Sequence, residues 1–238
     1  MFVAVRSAFD ALGVALFPPR CGGCDASLAA RPAYGLCTPC FEVLEPNDGA
    51  RCERCDLPAS QDGRDACDCA AQAPGFSALR APFVYGGPLA DLIVAAKFRG
   101  REELCAALGR LLAEDRDVVA MLADADGIVP VPLGRKRARQ RGYNQTAMIA
   151  RRLGRNLEVP VQYALRRVRD TVPQSDLPLN RRRKNVAGAF AVRGSVSGRV
   201  VLVDDVVTST ETVRQAAAAL RQGGASDVVV VAVARAVD

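Results

Sequence analysis

Residues Val200 to Thr212 read Val-Val-Leu-Val-Asp-Asp-Val-Val-Thr-Ser-Thr-Glu-Thr and run straight into an alanine-rich stretch. A short apolar run rich in β-branched residues predicts a buried strand of a parallel sheet, and the alanine-rich stretch predicts the helix that follows. The loop after the carboxyl end of such a strand forms the floor of a ligand crevice. Asp204 and Asp205 fall at that end, placed to accept hydrogen bonds from sugar hydroxyls or to hold a hydrated Mg²⁺. Thr208, Ser209, Thr210 and Thr212 add hydroxyls, and the N–H groups at the start of the helix complete an anion cradle. The ligand that fits is a ribose above the two aspartates with its 5′-phosphate in the turn. An ordinary strand–turn–helix with a Ser/Thr cap is the alternative. Two adjacent carboxylates at the end of a buried strand are costly without a partner, which weighs against it.

Eight of the nine cysteines lie between Cys21 and Cys69, as Cys21-x2-Cys24, Cys37-x2-Cys40, Cys52-x2-Cys55 and Cys67-x-Cys69. A Cys-x2-Cys knuckle presents two thiolates to one tetrahedral ion, and a second knuckle completes the set. Sequential pairing puts Cys21, Cys24, Cys37 and Cys40 on one zinc and Cys52, Cys55, Cys67 and Cys69 on a second; a cross-braced pairing fits the spacing as well. The second site is the weaker because its last pair has one intervening residue. Disulfides are the competing reading, disfavoured without a secretory signal. Four cysteine ligands leave no open position for water, so the metal is structural, a staple for a segment with few large apolar side chains. Cys105, alone in a helical pattern, reads as a buried small apolar residue.

The chain has 238 residues, half of them hydrophobic, enough for a sizeable core. The net charge of +6 hides an asymmetry. Between Pro130 and Arg193 sixteen Lys/Arg face three Asp/Glu, whereas the remainder holds sixteen basic and twenty-three acidic residues. A field concentrated in this way suits a polyanion. Histidine is absent, which removes Ser-His-Asp and Cys-His chemistry. Ala8 to Phe17 reads as an amphipathic helix stopped by Pro18 and Pro19 rather than as a signal peptide, and no apolar run is long enough to span a bilayer. A cytoplasmic protein is expected.

Along the rest of the chain, Phe83 to Tyr85 predicts a short strand, Pro88 to Lys97 a helix, and Glu102 to Leu122 one long helix. Ile128 to Val131 predicts a strand and Leu133 to Arg141 a basic loop. A helix is expected from Asn144, a strand over Val159 to Ala164, and a mobile arginine-rich loop with a short helical piece over residues 165–187. Gln215 to Leu220 continues the helix after the turn, Gly223 and Gly224 stop it, and Val228 to Val233 reads as a buried strand. Strands alternating with helices imply a parallel α/β sheet.

The acidic doublet and its turn resemble the ribose-phosphate loop of type I phosphoribosyltransferases, which bind phosphoribosyl pyrophosphate (PRPP). The order of the remaining motifs sharpens this. The cysteine pairs precede Ala96-Lys97-Phe98-Arg99-Gly100, then Val129-Pro130-Val131-Pro132 and Arg139-Gln140-Arg141-Gly142-Tyr143-Asn144-Gln145. Arg169-Asp170-Thr171 with Gln174 and Leu177, Arg181 to Asn185, and Gly188-Ala189-Phe190 follow, and Val203 to Thr208 closes the set. From about Phe17 to the C-terminus the chain resembles the ComF family of competence-associated proteins. That resemblance implies a type I phosphoribosyltransferase-like parallel sheet flanked by helices, with a small N-terminal zinc module built on sets of four cysteines. With Pro74, Gly75 and Pro82 marking the passage between domains, the chain divides into an N-terminal helix over 1–20, a double zinc-ribbon-like module over 21–73, and a phosphoribosyltransferase-like domain over 74–238.

Carried over by position, Asp204 and Asp205 would hold the ribose hydroxyls, and Thr208, Ser209, Thr210, Glu211 and Thr212 the 5′-phosphate. Arg135, Lys136, Arg137, Arg139 and Arg141 would face pyrophosphate or another polyanion. Mg²⁺ would accompany PRPP. The resemblance also implies a link to DNA uptake, with single-stranded DNA and a competence helicase or other uptake protein as partners. One departure stands out: family members commonly carry glycine where Thr210 stands. A β-branched residue is strained in a turn that wants positive φ. Glu211 brings a carboxylate toward the anion site, although Glu at a helix start also suits the macrodipole. Two readings stay open: a phosphoribosyltransferase, and a non-catalytic protein holding single-stranded DNA or docking a partner, with Tyr143 and Tyr163 as the available stacking rings.

Overall fold

The computed structural model describes residues 18–59, 67, 69, 75–169 and 188–237. The expected helix over Ala8–Phe17 and the motif residues between 170 and 187 lie outside them. In chain order the elements are α1 (Thr38–Glu42), β1 (Leu79–Arg80), β2 (Phe83–Val84), α2 (Gly87–Phe98), α3 (Glu103–Glu114), α4 (Arg116–Ala123), β3 (Gly127–Pro130), α5 (Arg135–Arg141), α6 (Gln145–Leu157), β4 (Leu165–Arg167), β5 (Phe190–Val192), β6 (Arg199–Val207), α7 (Glu211–Gln222) and β7 (Asp227–Arg235).

The sheet grows from two valine-rich strands. β6 and β7 pair in parallel from Arg199 opposite Asp227 to Val207 opposite Arg235. Apolar on both faces, they can only lie inside the molecule. β3 flanks β6, while β1 and β2 both pair with β7, giving the order β1-β7-β6-β3 with β2 farther along β7. Alternation sorts the side chains. Val201, Val203, Val229 and Val231 pack with Leu92, Leu108 and Ile149 from α2, α3 and α6 on one face. Val200, Leu202, Val228 and Val230 pack with Val213, Ala217 and Leu220 of α7 on the other. The fold is thus α/β, a parallel sheet flanked by helices, with a cysteine-rich module at its N-terminal side.

Several local expectations change. The long helix over 102–122 is two, because Asp115 takes an extended conformation and its carboxylate caps α4 by accepting the Val118 N–H at 2.9 Å. The basic stretch 133–141 contains a helix, α5, rather than only loop. It buries no residue, so no apolar periodicity announces it, although Arg, Lys, Ala and Gln are good helix formers. The strand expected over 159–164 shrinks to a single bridge between Val161 and Ile128, since Pro160 has no N–H to donate. Residues 165–167, expected in a loop, pair antiparallel with β5.

The cysteine module packs against α2 and α3. A Cβ on Gly22 would lie 2.2 Å from Leu92 Cδ1, so the first knuckle approaches α2 closely. The chain between the two cysteine clusters then runs along β2: Pro46 bridges Phe83, Asn47 N donates to Pro82 O at 2.7 Å, and Val84 N donates to Glu45 O at 2.9 Å. Around this seam Asp56 is buried. It pairs with Arg51 Nε at 2.8 Å and accepts the Ala81 N–H at 2.7 Å, and nearby Arg80 grips Asp115 at 2.7 Å. No helix among the described residues is long and apolar enough to cross a membrane.

Candidate functional site

At the carboxyl end of β6 the strand leaves the core, and alternation sends Asp204 and Asp205 to opposite sides of the sheet's rim. Both border a cleft of about 660 Å³. Asp205 is buried and held: Lys97 Nζ of α2 lies 2.8 Å from Oδ1, and Gln145 Nε2 of α6 donates to Oδ2 at 2.7 Å. Asp204 is half-buried and accepts the Asp205 N–H on Oδ1 at 2.9 Å. Burial, reinforced by the negative charge of Asp205, raises the Asp204 carboxyl to about 7. A carboxylate in that condition gains from a hydroxyl donor or a cation.

The 208–212 turn closes one end of the cleft. Thr208 and Thr212 border it, and Asp204 with residues Val206 to Val213 surrounds a small concavity of about 20 Å³ beside it. Thr210 has φ 52°, the left-handed region expected to strain a β-branched residue. Its side chain makes no cap bond to α7. Glu211, 7% exposed, accepts a hydrogen bond on Oε1 from Gln215 Nε2 at 3.1 Å, a contact one helical turn along α7.

The opposite wall is basic, but unevenly so. Arg137 and Arg141, one turn apart on α5, reach the cleft; Arg135, Lys136 and Arg139 are exposed and do not line it. Arg137 Nη2 is buried without a hydrogen-bond partner among the described residues. The two guanidinium charges of Arg137 and Arg141 make this part of the cleft favourable to an anion. Arg141 stacks over the Phe98 ring at 4.8 Å and donates to Gln145 Oε1. Gly142, at φ 81°, lets α5 stop and the chain turn into α6. There Asn144 Nδ2 and Thr146 Oγ1 donate to Val131 O at 3.2 and 2.6 Å. The Arg-Gly-Tyr-Asn-Gln motif therefore locks the end of β3, α5 and the acidic doublet together.

In the module the four sulfurs of Cys21, Cys24, Cys37 and Cys40 lie within 4.8 Å of one another, and so do those of Cys52, Cys55, Cys67 and Cys69. The pairing is sequential, and all nine cysteines are free. Zn–S bonds of about 2.3 Å in a tetrahedron put sulfurs ~3.8 Å apart; Cys24 and Cys37 Sγ are 3.8 Å apart. N–H groups of Cys37, Cys24 and Gly23 bring the Cys21 thiol down to about 6 against its burial, while burial and the neighbouring thiols push Cys40 up to about 12. Both clusters fit structural zinc. Cys105 is fully buried, and burial pushes its thiol up to about 12, as for an inert core residue.

Sequence comparison agrees with this architecture. Residues 12–71 match the double zinc ribbon domain family. The chain is 34% identical over 218 residues to DNA utilization protein YhgH of Escherichia coli K12, covering 89% of this chain and 94% of that protein. It is 33% identical over 218 residues to the protein of that name from Salmonella typhimurium, with the same coverage. It is 30% identical over 225 residues to competence protein F of Haemophilus influenzae, covering 91% and 97%. The chain belongs to the ComF family.

Three parts of this ComF-family site escape sequence reasoning. Lys97 and Gln145 sit in noted motifs, yet only the fold reveals that both hold Asp205. Phe98, 72% exposed at the cleft's edge, carries the Arg141 guanidinium over its ring. Of the two tyrosines singled out as stacking rings, Tyr143 is partly buried with its OH donating to Ala96 O, and Tyr163 is 51% exposed with its OH accepting from Arg151 Nε at 2.6 Å.

Proposed function

We propose that the cleft binds a ribose phosphate of the PRPP type with Mg²⁺, and that this binding serves a role in DNA uptake or utilisation like that named for its relatives. One observation carries the reading. A half-buried Asp204 opens at the sheet's carboxyl edge into a cleft that Arg137 and Arg141 also line. Sugar hydroxyls or Mg²⁺ would meet Asp204, the 5′-phosphate would lie in the 208–212 turn, and pyrophosphate would meet Arg137 and Arg141. Asp205, held by Lys97 and Gln145, would set the field at Asp204. The reaction suited to this pocket is pentosyl transfer, with positioning and charge stabilisation in place of a histidine base.

Titration calorimetry with PRPP and Mg²⁺ tests this. Wild type gives a binding heat, and Asp204→Asn with Asp205→Asn abolishes it. The sign of the pH dependence follows from Asp204. The free protein holds this carboxyl protonated below about 7, so affinity for a ligand that needs the carboxylate rises from pH 6 to pH 8. Asp204→Asn loses that rise. No heat with wild type sinks the reading.

A second reading has its own observation. Arg135, Lys136 and Arg139 are exposed on the side of α5 away from the cleft, where they can meet the phosphates of single-stranded DNA. This face would act whether or not the cleft is occupied. Fluorescence anisotropy with a labelled oligonucleotide distinguishes the two: Arg135→Ala with Arg139→Ala flattens the salt slope of DNA binding and leaves the PRPP heat unchanged.

A further inference from the structure

Arg235 ends β7 and is 4% exposed. Its guanidinium reaches three places. Nε donates to Cys55 O at 3.2 Å; Nη1 donates to Val207 O at 2.9 Å, to Thr208 O, and to Ala236 O at 3.0 Å. Cys55 belongs to the second cysteine cluster, and Thr208 begins the turn at the cleft. Burying a guanidinium against carbonyls, rather than leaving it in water, is expensive unless its donors are used. Here they fasten a cysteine knuckle to the base of a loop.

The loop needs fastening. Thr210, two residues beyond Thr208, is held at φ 52° without a cap bond from its own side chain. Such a conformation persists only where the surroundings over-determine it. The knuckle in turn is ordered by its own bonds, Asp56 N to Cys52 O and Cys52 N to Leu57 O, both 2.9 Å, and by whatever joins its four sulfurs. The first cluster has no comparable bond to the turn among the described residues; it leans on Leu92 and Leu104 instead.

We propose that Arg235 is a positioning residue that ties the shape of the 208–212 turn to metal at the second cysteine cluster, so that ligand in the turn and zinc at Cys52, Cys55, Cys67 and Cys69 stabilise one another. Its ligand half rests on the ribose-phosphate reading above. Its structural half does not. Coupling of this sort is reciprocal: an ordered knuckle improves the turn, and an occupied turn retards zinc loss from the second cluster while leaving the first unaffected.

The full-length protein is used throughout, and two readouts separate the halves. Amide hydrogen exchange at residues 208–213 is followed with and without a zinc chelator. In wild type chelation speeds exchange at least tenfold; in Arg235→Gln exchange is already fast and the chelator adds little. Arg235→Lys, which keeps the charge and loses the fork, serves if Arg235→Gln fails to fold, and it gives the same pattern. Calorimetry with PRPP and Mg²⁺ then shows affinity at least tenfold weaker in Arg235→Lys and in Cys69→Ser, with the double variant no weaker than the worse single. Exchange at 208–213 that ignores both chelator and substitution overturns the proposal. A chelator effect of equal size in wild type and Arg235→Gln also overturns it, and a wild type that binds no PRPP but shows a chelator effect lost in Arg235→Gln retires the ribose-phosphate reading and leaves the Arg235 linkage standing.

Discussion

Thr210 carries the largest conformational burden of any single residue near the cleft. A left-handed conformation costs an L-residue ~1–2 kcal/mol, and a β-branched one has little freedom to relieve it. Glycine removes that strain but adds about 0.5–1 kcal/mol of chain entropy to the unfolded state. Thr210→Gly is therefore expected to raise stability by about 0.5 kcal/mol, read by chemical denaturation, and to leave the fold unchanged; a loss above about 1 kcal/mol refutes the strain argument. The strain at Thr210 was legible through the family resemblance, which places glycine there, because it concerns one backbone angle. The surroundings of Glu211 were not: its bond to Gln215 lies along its own helix, but its burial depends on packing that no local pattern encodes. The same holds for Asp205, whose partners come from positions 97 and 145.

Elements with an apolar face or a valine run were legible, and those without were not. β6 and β7 declare themselves by composition, and the parallel α/β sheet follows. α5 has no buried side, and β4 and β5 are three-residue pieces whose pairing spans the stretch 168–189. Hydrophobic periodicity is silent on both. The cysteine knuckles were legible as metal ligands, but their seat on α2 was not, since it depends on Gly22. This residue is outside the left-handed region, so alanine meets no backbone penalty there; the clash is with Leu92, whose side chain is fully buried and has nowhere to go. Gly22→Ala is expected to destabilise the protein by about 1–3 kcal/mol while zinc content stays at that of wild type. Equal stability, or zinc lost in proportion, contradicts this account of the interface.

For the molecule as a whole, the two four-cysteine clusters are fastened into the α/β body rather than strung before it. Arg80, Asp56 and Asp115 form one seam and Gly22 against Leu92 another. Metal binding to such clusters is folding free energy, so its removal should propagate. Chelation is expected to lower the melting temperature of the full chain by on the order of 10 °C, and to broaden the transition; a module that melted alone, with the main transition unmoved, would falsify the idea of a shared interface. The segment around Pro46 gives this a further turn. It occupies the outer side of β2, where peptide groups would otherwise stand open to any passing strand. If zinc holds that segment in place, a chain stripped of it is expected to bare this margin and to self-associate before it unfolds, read as light scattering that rises below the melting transition.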